Sequence, residues 1–252
     1  MINLKLPIYA LTAAFMTTST MIIADDEDIP FDEAELFFEL NDTDGDLGIH
    51  GKIDGDEWKR LEIEDPNERR MLKIRVIGRL KRQGLTELFF ESAEPTFDEL
   101  DPADFFNRFP EGTYEIEGIT LDDEERESEV ELSHVIPAAP GNVTVNGEPA
   151  AEDCDAVLPV VFAPVTLSWD AVEESHDELG TEGNFEVRYY EVVVEIDETD
   201  FVSTSIVPGD VTEWVLPEGF TELADEGEYK FEILVRADNG NKTAMESCFE
   251  VE

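Results

Sequence analysis

Leu223-Ala-Asp-Glu-Gly-Glu-Tyr229-Lys-Phe-Glu-Ile-Leu-Val-Arg-Ala237-Asp-Asn is the stretch that decides the fold. An acidic, Gly-containing turn leads into alternating residues. Tyr229, Phe231, Ile233 and Val235 fall on one side, Lys230, Glu232 and Arg236 on the other, which is the period of a half-buried strand. Two stretches upstream behave alike: Val165-Thr-Leu-Ser-Trp169-Asp-Ala-Val and Phe185-Glu-Val-Arg-Tyr-Tyr190-Glu-Val-Val-Val-Glu195. Short alternating strands separated by turn residues predict an antiparallel β-sandwich.

In order and detail these segments resemble a fibronectin type III domain over residues 138–252. The first upstream stretch is similar to that family's second strand, whose Trp, here Trp169, anchors the core. The next, carrying Tyr190, is similar to its third. A Leu six residues before a Tyr, here Leu223 and Tyr229, is the family's most specific feature. The resemblance implies that Tyr229 forms a tyrosine corner, its hydroxyl returning to nearby backbone. Trp169, Tyr190, Leu223 and Tyr229 are therefore expected in the core. Two features depart from the family: a long acidic loop at 173–184 and a Cys pair. With no Arg-Gly-Asp triplet, integrin-type recognition has no support.

The chain has 252 residues, 17 Lys and Arg against 63 Asp and Glu, and a formal charge of −46. Hydrophobic residues make up 41%, with 16 Phe, enough for packed cores and too many for an acidic disordered chain. Nucleic acid is excluded as a partner because binding it means neutralising phosphates with Lys and Arg. An anionic membrane surface is disfavoured in the same way. At the ionic strength of seawater the self-repulsion is screened within a few Å, which fits an exported protein of a saline habitat.

A single Lys5, an apolar run from Leu6 and a small residue, Ala24, before Asp25-Asp-Glu-Asp28 read as a signal peptide over 1–24. An uncleaved anchor competes, since 6–24 is 19 residues, but Pro7 and the run Thr17-Thr-Ser-Thr20 weaken it. No further segment is apolar enough to insert into a membrane, so a secreted or periplasmic chain is expected. Cys154 and Cys248 then read as a disulfide, with two buried thiols as the alternative. Bridged, they close a loop of about 94 residues, for which the chain-entropy model gives about 4 kcal/mol.

Turn chemistry at Pro137-Ala-Ala-Pro140-Gly-Asn142 divides the chain. Residues 25–33 read as an acidic flexible leader. Residues 34–137 read as a sandwich of about seven strands at 34–40, 47–53, 57–64, 71–80, 86–91, 113–121 and 127–136, with one short helix at 97–109. Asp54-Gly55-Asp56 reads as a turn. The fold class is thus all-β: two antiparallel β-sandwich domains in tandem, 34–137 and 138–252, the second fibronectin type III- or Ig-like. The first also holds a basic cluster of Lys59, Arg60, Arg69, Arg70, Lys73, Arg75, Arg79, Lys81 and Arg82, read mainly as pairing with surplus carboxylates.

The best chemical candidate is Asn41-Asp42-Thr43-Asp44-Gly45-Asp46, with Asp54 and Asp56 shortly after. Alternate carboxylates around a Gly can gather the 6–8 oxygens Ca²⁺ takes. An EF-hand is rejected, because Leu47 and Ile53 stand where its Gly and Glu belong. Two readings remain, an irregular Ca²⁺ loop at Asp42, Asp44, Asp46, Asp54 and Asp56, or an acidic hairpin turn. No cofactor is required. His50, His134 and His176 lie near no nucleophile signature and have no metal-ligand spacing, so no enzyme is expected. Asn41, Asn142 and Asn241 each begin an Asn-x-Thr triplet, read as chance. The favoured function is an exported non-catalytic binding or adhesion protein, recognising a protein or glycan through sandwich loops. The alternative is an accessory, carbohydrate-binding component of polysaccharide processing, which a flat row of exposed aromatics would mark.

Overall fold

A computed structural model describes residues 29–197, 199–223 and 227–252. The signal peptide assigned to 1–24 and the leader's 25–28 lie outside them. Among the described residues no helix is long and apolar enough to cross a membrane.

The first half comprises β1 (Glu33–Asn41), β2 (Asp46–Glu64), β3 (Arg70–Arg75), α1 (Leu80–Gln83), β4 (Leu85–Glu91), α2 (Pro102–Arg108), β5 (Gly112–Thr120) and β6 (Glu125–Leu132). The expected turn at Asp54-Gly55-Asp56 is instead a bend inside the single 19-residue strand β2. Its register shifts between Asp54 and Trp58 against β4, and between Trp58 and Arg60 against β5. The front of β2 pairs with β1 and β4, the rear with β5 and β3. One bent strand thus serves two layers, as at the corners of sandwiches. The core between them is built from Leu36, Phe38, Ile49, Ile53, Trp58, Leu61, Ile63, Tyr114 and Ile116.

Residues 29–33 are not a loose leader. The apolar Phe31 joins this core, the Ile29 carbonyl accepts from Glu127 N–H at 3.0 Å, and Phe31 N–H donates to Ser128 Oγ at 3.0 Å. The helix is shorter than 97–109. Pro102 stands in its first turn, where its missing N–H costs nothing, and Asp101 caps it by accepting from Ala103 N–H.

The second half comprises β7 (Thr144–Val145), β8 (Glu148–Pro149), β9 (Val160–Val161), β10 (Thr166–Ser168), β11 (Val187–Ile196), β12 (Val202–Pro208), β13 (Glu213–Val215), α3 (Glu218–Thr221), β14 (Gly227–Ala237) and β15 (Lys242–Val251). A sheet ordered β13-β10-β7-β8 faces β12-β11-β14-β15 across a core that includes Trp169, Tyr190, Val192, Tyr229, Phe231 and Phe249. This is the sandwich that the fibronectin type III resemblance implies.

The two sandwiches are not separate beads. β1 pairs in parallel with β15, Glu39 opposite Lys242 and Asn41 opposite Ala244, so hydrogen bonding continues from β12 through β15 and β1 to β6. Pairing the two edges hides what would otherwise be open templates for aggregation.

Candidate functional site

The seam between β1 and β15 gathers buried polar side chains and ion pairs from both sandwiches. On one face Asn241, fully buried, accepts from Phe38 N–H through Oδ1 at 2.9 Å. Its Nδ2 donates to the carbonyls of Ser133 at 2.8 Å and Val135 at 2.9 Å. Buried Thr243 donates to the Pro137 carbonyl at 2.6 Å. Thr43 Oγ1 donates to the Glu246 carbonyl and accepts from Glu246 N–H, which ties the β1–β2 turn to β15. The other face is ionic. Arg236 reaches Glu35 at 2.8 Å and lies 4.1 Å from the Phe37 ring centroid, while Lys242 sits 3.2 Å from Glu39 and 3.3 Å from Glu191. Residues 138–252 carry four cations, Arg188, Lys230, Arg236 and Lys242, and three of these lie at or beside this seam.

The long loop at 173–184 is a clasp over the same seam. His176 N–H donates to the Ile136 carbonyl, Thr181 N–H to that of His134, and Ala138 N–H to that of Glu174. Gly180 has φ +73°, and a Cβ there would stand 2.1 Å from the His134 carbonyl oxygen, so only Gly fits. His176 Nδ1 accepts from Glu178 and Leu179 N–H at 3.1 Å each, which leaves the proton on Nε2 to be donated to Asp42 at 3.0 Å.

Around the β1–β2 turn, Glu39, Asp44, Asp46, Glu94, Glu232 and Glu246 line an acidic hollow shared by both sandwiches, with Lys230 as its cation. Burial, helped by Glu94 and Asp44, raises the Asp46 carboxyl to about 6. Burial also raises Glu232 to about 7; Lys230 opposes this, and Glu246, Glu39 and Glu195 add to it.

The residues proposed for Ca²⁺ are divided. Asp42 binds His176 and Asp44 accepts from Asn41. Asp54 lies eight residues further along β2 than Asp46, about 26 Å on a strand. There it accepts from Gly55 N–H, and Asp56 pairs with Arg126 at 2.7 Å. The five carboxylates therefore cannot share one ion. Among the described residues, no three carboxylate or imidazole ligand atoms at this turn come within 4.8 Å of one another. The turn does use Gly45 as expected, at φ +65°, packed under Phe97.

Of the expected core, Trp169 and Tyr190 pack edge-on at 5.3 Å. Tyr229 is buried against Phe249 and donates to the Thr221 carbonyl at 3.5 Å. Leu223 departs: it is 47% exposed, because α3 brings Phe220 against Tyr229 in its stead. Cys154 and Cys248 are bridged, with Cα atoms 5.0 Å apart. Asn41 and Asn241 are seam residues; Asn142 instead donates to Asp170. Signals for the seam existed in the acidic insertion and in polar Asn241 and Thr243 at the head of β15, but nothing in the sequence pairs β15 with β1.

Each of the three His side chains is engaged within the fold. His50 contacts Glu94, His134 the Phe109 carbonyl and His176 Asp42; among the described residues none hydrogen-bonds a hydroxyl or thiol. The exposed aromatics are scattered along the chain, Phe89 on β4, Phe162 just after β9 and Phe201 just before β12.

No protein-family model and no curated protein matches the sequence. Among solved structures, the chain is similar to the FN1–FN3 domains of chicken CNTN1 at 10% identity, covering 88% of this chain and 69% of that one, TM-score 0.32. It is similar to a two-domain fibronectin type III segment of chicken tenascin at 11% identity, 86% and 97% coverage, TM-score 0.29. A tetra-tandem repeat in the extending region of a large adhesion protein gives 13% identity, 87% and 50% coverage, TM-score 0.28. Overlaps this loose say nothing of what the present chain binds.

Proposed function

We propose that the chain is an exported, non-catalytic binding or adhesion module in which two sandwiches act as one rigid body. The observation that carries this is the continuous sheet through β1 and β15, fixed by Asn241 and by the 173–184 clasp. A seam of that kind holds the loops of both sandwiches in one orientation, which lowers the entropy lost when a partner is bound. The Cys154–Cys248 bridge suits an oxidising compartment outside the cytoplasm. The three His residues are all engaged in structural contacts. As a test, beads coated with the chain should be retained on at least one surface in a panel of immobilised extracellular proteins and glycans. Hydrolase and transferase substrates offered in parallel should stay intact; turnover without retention overturns the proposal.

A further inference from the structure

Three members of the basic cluster are neutralised as the sequence suggests: Lys59 holds Asp123, and Arg70 and Lys73 both hold Glu62. Six are not. The side-chain cations of Arg60, Arg69, Arg75, Arg79, Lys81 and Arg82 have no carboxylate within 4.0 Å among the described residues, in a chain with 63 Asp and Glu. Arg60 stands directly opposite Arg75 across the β2–β3 ladder. A like-charged cross-strand pair is destabilising, and a carboxylate at either place would relieve it. Here the repulsion is left in place beside a cavity of about 650 Å³ lined by Lys59, Arg60, Lys73, Arg75 and Lys81, together with Asp123, which Lys59 holds, and Glu125. Val76 and Ile119 give it an apolar wall. The charge continues past the cavity along α1, where Arg79, Lys81 and Arg82 accompany Ile77, 74% exposed, and Leu80, 52% exposed.

Resting on the reading of the chain as a binding module, we infer that this groove binds an anionic polysaccharide, one carrying a sulfate or carboxylate on its sugar units. The cations form a fixed array: Arg60 faces Arg75 at about 5 Å, Lys81 lines the same cavity, and Lys73, about 6.6 Å from Arg75 along β3, is held in place by Glu62. Such spacings suit a chain with charges repeated sugar by sugar. Guanidinium forks clasp either oxyanion, and the apolar wall offers contact to a pyranose ring. Lys is depleted from protein–protein interfaces, yet three of the five cationic lining residues are Lys, which argues against an acidic protein. Duplex nucleic acid, with one charge per ~1.7 Å, would run its flanks over the remainder of a surface at −46; a polysaccharide's sparser charge is repelled less.

Binding of the full chain to dextran sulfate and to polygalacturonate is measured by calorimetry over a salt series, with neutral dextran, polyglutamate and duplex DNA beside them. At least one charged glycan should bind, more weakly as salt rises, and the tighter of the two identifies the group recognised. The triple variant Arg60→Gln/Arg75→Gln/Lys81→Gln should bind about 10-fold or more weakly, its salt slope reduced by about 1 for each cation lost. It should unfold no earlier than the parent, since a repulsive pair has been removed. Arg188→Gln, exposed on β11, should change nothing. Failure of both charged glycans to bind at low salt, equal or tighter binding of polyglutamate or DNA, or undiminished binding by the triple variant each overturns the inference. If the variant misfolds, the salt series on the unaltered chain decides: binding that ignores salt refutes it. If the glycans fail while coated beads are still retained on another surface, only this inference falls.

Discussion

The two sandwiches bury comparable cores by opposite means. The second uses three strands of 10 or 11 residues, β11, β14 and β15, a tyrosine at the head of β14, and one covalent tie from Cys154 to β15. The first has no covalent tie and relies on β2, a single bent strand that belongs to both of its layers. Their charges differ too. The first carries nine clustered cations and leaves six of them open, while the second has four and commits three near the seam. The difference teaches that the second sandwich commits its few cations to the seam, whereas the first leaves most of its cluster free, as the proposed binding role requires.

The largest test of that contrast is the disulfide. Cys154→Ala/Cys248→Ala should cost about 4 kcal/mol for a loop of this length. Urea unfolding can be followed by Trp58 in the first core and Trp169 in the second. Because β15 carries both Cys248 and the partners of β1, both probes should shift together. A shift confined to Trp169 would show that the halves unfold independently.

Next is the seam itself. Asn241→Ala strands buried Phe38 N–H and removes the bond to the Ser133 carbonyl, while the Val135 carbonyl keeps its bond from Asn239; this should cost about 2–3 kcal/mol and split the two unfolding transitions. Asn142→Ala, at an exposed triplet of the same sequence type, should cost about 1 kcal/mol, because Ala is disfavoured at its φ of +50°, and should leave the two transitions together.

The acidic hollow should make stability depend on pH. Asp46 and Glu232 have folded-state values near 6 and 7, above their ordinary values of 3.8 and 4.5. Their ionisation is therefore penalised in the folded chain. The stability they allow is complete below about pH 4 and is lost as pH rises through 6 and 7. Asp46→Asn and Glu232→Gln should each raise stability at pH 8 by about 1 kcal/mol, allowing for solvent screening, and flatten the profile between pH 4 and 7. Thermal unfolding across that range checks the sign; a variant that gains at pH 4 and loses at pH 8 would contradict it.

The second sandwich was legible because alternation, Trp169 and Tyr229 are local signals that survive in one sequence. The first was legible strand by strand but not in its joining. Asp54-Gly55-Asp56 has turn composition, and only the unbroken pairing of β2 through shifted registers shows that the chain bends there without reversing. The Ca²⁺ set failed on the same point, since a turn there would have brought Asp54 and Asp56 back toward Asp46, and a continuing strand carries them away. Neither the parallel seam nor the clasp leaves a periodicity to read, because both join residues about 40 to 200 positions apart.

The smallest effects separate three tyrosines, and they invert the order the family resemblance implies. Tyr229 marks that resemblance, yet its hydroxyl reaches the Thr221 carbonyl only at 3.5 Å, the weak limit of a hydrogen bond. Tyr190 accepts from buried Val172 N–H at 2.9 Å. Tyr114, at the start of β5 in the first sandwich, donates to the Pro110 carbonyl four residues upstream at 3.1 Å, a corner-like bond that no sequence signal announced. Tyr190→Phe leaves a donor unpaired in a dry place and should cost about 1–3 kcal/mol. Tyr114→Phe frees a carbonyl on a partly exposed residue that water can reach, about 1 kcal/mol. Tyr229→Phe gives up a long bond and should cost about 0.5 kcal/mol, barely more than Tyr189→Phe on the less buried side of β11. Because β1 and β15 pair, the series belongs in the full chain rather than in an excised second sandwich. A Tyr229→Phe loss equal to that of Tyr190→Phe would mean that the corner closes more tightly than 3.5 Å, and that the second sandwich rests on its family's signature after all.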